Sequence, residues 1–260
     1  MAIRAPYVAG NWKMNMTIPE AGALASAVVR ASAGLPEAEL VLAPPFTALS
    51  EVRKVIVGSP VRLAGQDLFW EDQGAFTGEI SAPMLKDAGC SHVIIGHSER
   101  RQFFGETDAG VNRKIKAALK SGLFPIVCLG ESLEERERNE TMSKISRQIE
   151  AGFAGIDAEG FGRTVVAYEP IWAIGTGRTA TPAQAEDVHA AVREKLSAEY
   201  GKAAVRCAII LYGGSVKPAN AAALFGEENI DGFLVGGASL DAGSFVEIAA
   251  EAIKAFKVKK

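Results

Sequence analysis

The sequence predicts an α/β fold: one (β/α)8 barrel, eight parallel strands ringed by helices, with residues 1–260 forming a single domain. Three observations point there. Eight short apolar runs alternate with longer amphipathic segments along the 260 residues, the pattern of strand–helix–strand units. The runs are nearly continuous rather than alternating, as in strands buried on both faces. The polar residues with chemical promise follow directly on those runs, where a barrel carries its chemistry. A doubly wound open sheet shares the alternation, but no Gly-x-Gly-x-x-Gly follows the first run, which weakens a dinucleotide site.

In order, Tyr7-Val8-Ala9 is the first run and leads into Gly10-Asn11-Trp12-Lys13. Thr17 caps an Ala-rich helix from Pro19 to Ala33. Leu40 to Ala43 is the second run, and Val61 to Ala64 a weaker third. The loop from Asp67 to Gly78 is long for a strand–helix connection and carries Phe69, Trp70 and Phe76. Such a loop either folds over its own site or buries itself in a partner, and its composition favours the partner. His92 to Ile95, the fourth run, leads into Gly96-His97-Ser98-Glu99-Arg100. Asp108 to Lys120 has the acidic start and basic end that a helix dipole prefers. Phe124 to Leu129 is the fifth run, and Leu133 to Phe153 reads as one helix with a solvated charged face.

The sixth run, Val165 to Tyr168, stops at Glu169-Pro170, because proline cannot donate a ladder hydrogen bond. The apolar stretch Ile171 to Ile174, followed by Gly175-Thr176-Gly177, reads either as a lid over a base or as a turn with a buried tryptophan. Thr181-Pro182 starts another helix. Cys207 to Tyr212, the seventh run, leads into Gly213-Gly214-Ser215-Val216. Gly232 to Val235, the eighth, leads into Gly236-Gly237-Ala238-Ser239. Ser244 to Phe256 is the closing helix, with Lys257 to Lys260 as a frayed basic end.

A net charge of −3 gives no hint of nucleic acid or an anionic membrane surface. No apolar run approaches the ~20 residues that span a bilayer. The first residues lack the apolar segment of a signal peptide, so a cytoplasmic location is expected. Cys90, Cys128 and Cys207 are widely spaced, each beside an apolar run. They fit buried free thiols in a reducing compartment better than disulfides or a metal site. No acidic or histidine cluster has metal spacing, so no metal site is expected.

The strand ends carry the chemistry. Lys13 is either a surface lysine or an anion ligand. His97 opens a helical stretch, where the positive end of the dipole disfavours imidazolium and leaves a neutral donor. Glu169 sits under the apolar loop. The glycine pairs after runs seven and eight leave backbone N–H groups to cradle a phosphate, as the last two loops of a barrel commonly do. A carboxylate with a neutral electrophile suits proton abstraction beside a carbonyl.

The segments Asn11-Trp12-Lys13-Met14-Asn15, Gly96-His97-Ser98-Glu99-Arg100-Arg101, Ala167 to Gly177, Tyr212-Gly213-Gly214-Ser215-Val216 and Gly232 to Leu240 resemble the triosephosphate isomerase family, in order and over essentially the whole chain. The resemblance implies a TIM barrel that interconverts dihydroxyacetone phosphate and glyceraldehyde 3-phosphate without cofactor or metal. It implies Glu169 as base, His97 as electrophile, and Lys13 and Asn11 as holders of substrate charge. Gly175, Ser215, Gly236 and Gly237 would bind phosphate through their N–H groups. Ile174 and Leu234 would close over Glu169, Tyr212 and Ser215 would hold the closed loop, and Ser98 and Glu99 would arrange the site. Loop 67–78 would insert into a second copy, giving a homodimer with Thr77 near the partner's site. Two rivals stand beside this reading: a phosphosugar aldolase, which needs a Schiff-base lysine where Glu169 stands, and a non-catalytic barrel, which has no need of Lys13, His97 and Glu169 together.

Overall fold

In the computed structural model, residues 4–174 and 179–259 are described. Eight strands close into a parallel barrel in chain order: β1 (Tyr7–Asn11), β2 (Glu39–Ala43), β3 (Arg62–Gly65), β4 (His92–Ile95), β5 (Phe124–Leu129), β6 (Val165–Tyr168), β7 (Ile209–Tyr212) and β8 (Gly232–Val235). The ring is sealed by β8 against β1, with Ala9 opposite Leu234. The open-sheet alternative is thereby excluded.

Each strand is buried on both sides, which is why the runs read as continuous. Alternate residues separate into two cores. Ala9, Val41, Ala64, Ile94, Cys128, Ala167, Leu211 and Leu234 fill the barrel interior. Val8, Leu42, Leu63, Val93, Val127, Val166, Ile210 and Phe233 face outward under the helices. This alternation selects the site. One step beyond Ala9, Ala167, Leu211 and Leu234 on the inward face come Asn11, Glu169, Gly213 and Gly236.

The outer layer is α1 (Ile18–Ala31), α2 (Leu49–Ile56), α3 (Ala82–Asp87), α4 (Ser98–Phe104), α5 (Asp108–Lys120), α6 (Leu133–Glu137), α7 (Thr141–Gly152), α8 (Ala158–Phe161), α9 (Pro182–Tyr200), α10 (Lys202–Val205), α11 (Pro218–Gly226) and α12 (Ala242–Lys259). Thr17 forms a capping box with Glu20, and Thr181 another with Gln184.

Three expectations are corrected. The helix expected over Leu133 to Phe153 is two, α6 and α7. Asn139 adopts φ 57 between them, a left-handed turn that asparagine tolerates and that no glycine or proline announces. The basic end is not frayed through Lys259: α12 continues to that residue, whose Nζ donates to the carbonyl of Phe225 at 3.1 Å and also to that of Glu227. Lys259 thereby satisfies carbonyls at the C-terminal end of α11. Cys90 and Cys128 are buried free thiols as expected, but Cys207 is exposed, because β7 begins only at Ile209.

Loop 67–78 packs on itself. Phe69 lies 4.2 Å from the Trp70 ring and 4.5 Å from Phe76, and Arg113 covers Trp70 at 4.3 Å. Its root is held by a buried cluster of charges. Lys114 Nζ donates to both Asp67 oxygens at 2.7 and 2.9 Å and contacts Glu106 at 2.7 Å, while Arg100 reaches Asp67 at 2.7 Å. Burial dominates at Asp67, and with Glu106 beside it outweighs the cations, pushing its pKa up to about 6. Among the described residues no helix is long and apolar enough to cross a membrane.

Candidate active site

Asn11, Lys13, His97, Glu169, Ser215, Gly236 and Gly237 line one cleft of about 530 Å³ at the C-terminal end of the barrel. Ile174 and Leu234 line it too. The remaining predicted phosphate ligand, Gly175, lies outside the described residues, as do Thr176 and Gly177 of the expected lid.

Glu169 stands one residue beyond β6, its N–H donating to the Leu129 carbonyl at 2.7 Å. The carboxylate is only 2 % exposed. The backbone N–H of Ser98 donates to Oε2 at 2.8 Å, and His97 Nε2 lies 2.9 Å from Oε1. Burial alone would raise the carboxyl's pKa. His97, the Ser98 N–H and Lys13 outweigh it, so the net shift is downward. In this arrangement Glu169 is ionised but a weak base.

His97 is the N-cap of α4, and its Nδ1 accepts the Glu99 N–H at 3.2 Å. That bond leaves Nε2 as the nitrogen facing Glu169. Burial favours the neutral ring, but the Glu169 carboxylate opposes it more strongly and Glu99 adds to the effect, so the pKa lies above the ordinary histidine value. This differs from the neutral ring expected of a helix N-terminus, because the touching carboxylate acts at shorter range than the dipole.

Lys13 follows β1 with φ 53, in the left-handed region. The conformation is pinned from both ends. Asn11 Oδ1 accepts the Lys13 N–H at 3.0 Å, and Gln66 Nε2 donates to the Lys13 carbonyl at 2.9 Å. The ammonium meets Glu99 Oε1 at 2.5 Å. Lys13 is therefore a built part of the cleft rather than an ordinary surface lysine.

The two glycine loops line the same cleft. Gly213 N–H donates to the Tyr168 carbonyl at 2.7 Å, tying the β7 loop to the strand that carries Glu169. A Cβ at Gly213 would sit 2.9 Å from Glu169 Cγ, so the approach itself demands glycine. After β8, Gly237 opens a short 3-10 turn through Leu240, and Ser239 Oγ donates to the Gly236 carbonyl at 2.7 Å.

Sequence reasoning missed two residues beside Glu169. At Gly130 a Cβ would fall 1.9 Å from the Glu169 carbonyl oxygen. Glu131 is fully buried, and its Oε1 accepts from Tyr168 Oη and Trp172 Nε1, both at 3.0 Å, holding the residues on either side of the Glu169-Pro170 pair. Burial raises its pKa above the usual carboxylate value, although Trp172, Tyr168 and Arg136 oppose it. The signal was present: Glu131 follows the β5 end much as Glu169 follows β6.

Comparison with known proteins agrees with this geometry. The family profile for triosephosphate isomerase matches residues 6–252. The triosephosphate isomerase of Pelobacter propionicus is 53% identical over 246 residues, covering 95% of this chain and 98% of that one. That of Moorella thermoacetica is 53% identical over 248 residues, with the same coverage. The crystal structure of the Bartonella henselae triosephosphate isomerase superposes with a TM-score of 0.86 at 40% identity, covering 96% of this chain and 99% of that one. With the family profile matched across the barrel and relatives 53% identical over nearly their whole length, the chain belongs to the triosephosphate isomerase family.

Proposed function

We propose that this isomerase works from the cleft at the C-terminal end of its barrel, interconverting dihydroxyacetone phosphate and D-glyceraldehyde 3-phosphate through an enediolate, in glycolysis and gluconeogenesis. The observation that carries the reading is the pairing of Glu169 with His97 at 2.9 Å in a cleft that the two glycine loops also line. Residues 1–260 act as one catalytic domain. The β7 and β8 loops offer the N–H groups of Ser215, Gly236 and Gly237 to the phosphate, and Gly175, which lies outside the described residues, is the fourth ligand of the proposal. Anchored there, the three-carbon body extends toward Glu169, His97 and Lys13.

Chemistry requires Glu169 to exchange partners. Held by Ser98 and His97, its carboxylate is too well stabilised to take a carbon-bound proton. A substrate placed between Glu169 and His97 removes the ring from the carboxylate, and burial then raises the pKa of the base. The base moves the proton between C1 and C2. The same displacement changes His97. Without Glu169 in contact, burial and the Glu99 N–H on Nδ1 favour a neutral ring with its proton on Nε2, aimed at the developing oxyanion. Asn11 donates from its NH2 end, since its oxygen is engaged by Lys13, and the Lys13 ammonium faces the enediolate charge. Ile174 and Leu234 supply apolar cover.

A coupled assay with dihydroxyacetone phosphate tests the reading directly. Turnover that survives borohydride treatment without a covalent adduct is expected. An adduct would favour the aldolase alternative, and the absence of turnover a binding protein. Nitrogen NMR of His97 tests the displacement. The ring is expected to titrate above 6.5 in the protein alone and to stay neutral with a phosphorylated two-carbon acid bound. A ring charged in that complex would remove it as a neutral electrophile.

A homodimer through loop 67–78 completes the proposal. Phe76 is 43% exposed, and Arg100, which pairs with Asp67 at the loop root, lies over Phe104, itself 69% exposed. Met14 is 96% exposed beside Lys13, which Gln66 ties to the same root. Exposed apolar side chains gathered about the root and tip of one long loop are what a partner surface would cover. Covering them in the dimer places Thr77 near the partner's active site and steadies Lys13. Sedimentation is expected to give a dimer, with activity falling as the protein is diluted into monomer. A fully active monomer would sink this part. The buried, unpaired thiols of Cys90 and Cys128 suit a reducing, cytoplasmic location.

A further inference from the structure

The phosphate cradle after β7 is a five-residue turn, Gly213 to Lys217, that must hold the Ser215 N–H in a fixed direction. Its front end is anchored by the Gly213 N–H on Tyr168. Its back end is anchored by a side chain outside the cleft. Asn220, half-buried in the first turn of α11, accepts the Lys217 N–H on Oδ1 at 2.8 Å and donates from Nδ2 to the Ser215 carbonyl at 3.1 Å. The two partners settle which end of the amide is which, since one is an N–H and the other a carbonyl. One side chain therefore spans Ser215 to Lys217 and closes the turn.

We propose that Asn220 is a positioning residue for phosphate binding, acting through Ser215; this rests on the reading of the glycine loops as the phosphate cradle. The acceptor half of Asn220 belongs to the helix. It satisfies one of the orphan N–H groups around the start of α11, where Pro218 follows Lys217. The donor half belongs to the cradle. With the Ser215 carbonyl tied to Nδ2, the Ser215–Val216 peptide is fixed on one side, and the Gly213 N–H on Tyr168 fixes the chain on the other, so the Gly214–Ser215 peptide that carries the Ser215 N–H is held between two anchored points. Gly214 has little freedom to compensate, because it packs so closely on Tyr212 that a Cβ there would fall 2.2 Å from the tyrosine oxygen. Among the described residues, loss of the Nδ2 bond leaves the loop tied at Gly213 and at the helix cap, so the N–H groups must be ordered when phosphate binds.

The two halves can be separated. Asn220→Asp keeps an oxygen for the Lys217 N–H and replaces the donor by a second oxygen facing the Ser215 carbonyl. Asn220→Ala removes both. The measurement is inhibition of the isomerase by inorganic phosphate, together with kcat, KM and Tm. Asn220→Asp is expected to raise the phosphate inhibition constant and KM together by about 3–10-fold, the effect of one lost hydrogen bond, with kcat within about twofold and Tm unchanged. Asn220→Ala is expected to raise them as much and to lower Tm as well, through loss of the cap. Should Asn220→Asp bind phosphate as tightly as the unaltered protein, Asn220 is a helix cap only and the inference fails. Should the unaltered protein itself not be inhibited by phosphate, the cradle reading fails, and this inference with it.

Discussion

Replacing Glu169 by alanine is expected to lower kcat by about 10²–10⁴ or more, the range for a well-placed general base. Three observations make the effect large. The carboxylate is buried, so its place is set by the packing around it. The backbone around it is over-determined: its own N–H is tied to β5, Pro170 fixes the exit, and Gly130 and Gly213 press on it from either side. Glu131 then holds the flanking Tyr168 and Trp172. So much scaffold around one side chain leaves little room to recruit another base. Glu169→Asp keeps the charge and withdraws it by one methylene. Because ~1 Å of misplacement can cost on the order of 10²-fold, this variant is expected to lose about that factor in kcat while binding substrate nearly as well. Steady-state kinetics on both variants decides. Near-normal turnover in Glu169→Ala would mean that the carbon-bound proton goes to another group.

Glu169 was conspicuous in the sequence because a strand-like run ended on a carboxylate followed by proline. Most of the barrel was legible for a related reason: strands buried on both faces appear as bare apolar runs, and four of the eight fell on their exact residues, as His92 to Ile95 did. The others were displaced by a residue or two at their ends, where pairing rather than hydropathy sets the boundary. Cys207 reads as part of the seventh run, yet the chain joins the sheet only at Ile209, and the thiol stays exposed. The break at Asn139 was hidden because asparagine in the left-handed region looks like any polar residue on a solvated helix face.

The site was legible wherever a residue follows a strand. It was not legible where a contact crosses the barrel. The Gln66 bond to the Lys13 carbonyl, the Glu99 ion pair and the Glu169–His97 contact join residues 53, 86 and 72 positions apart, counting 66 − 13, 99 − 13 and 169 − 97. Local reasoning sees only the helix N-terminus at His97, and therefore expects a neutral ring. The contact with Glu169 is what moves the ring's pKa the other way.

Lys13→Met is expected to be the other severe loss. The side chain keeps its length and apolar stem, so the strand end should fold, but the cation is gone. Lys13 is held in a left-handed backbone conformation by Asn11 and Gln66, and its ammonium meets Glu99 rather than pointing freely to solvent. Such a conformation costs on the order of 1–3 kcal/mol unless its surroundings enforce it, which is reason to look for a functional gain. On the proposed function, that gain is a fixed positive charge next to a phosphorylated substrate that develops further negative charge on the enediolate oxygen. A charge of this kind stabilises the ground state through the phosphate and the transition state through the oxyanion, so both KM and kcat should suffer. The expected loss in kcat is about 10²–10³, comparable to removing one oxyanion donor, with a rise in KM beside it. Methionine also leaves Glu99 without its cation, facing the same anionic substrate. The double variant Lys13→Met with Glu99→Gln should therefore recover part of the KM defect and none of the kcat defect. Arginine at position 13 restores charge but presents a planar fork in place of a compact ammonium, and should recover binding more than turnover. A Lys13→Met protein with unchanged kcat would show that the enediolate is stabilised by His97 and Asn11 alone.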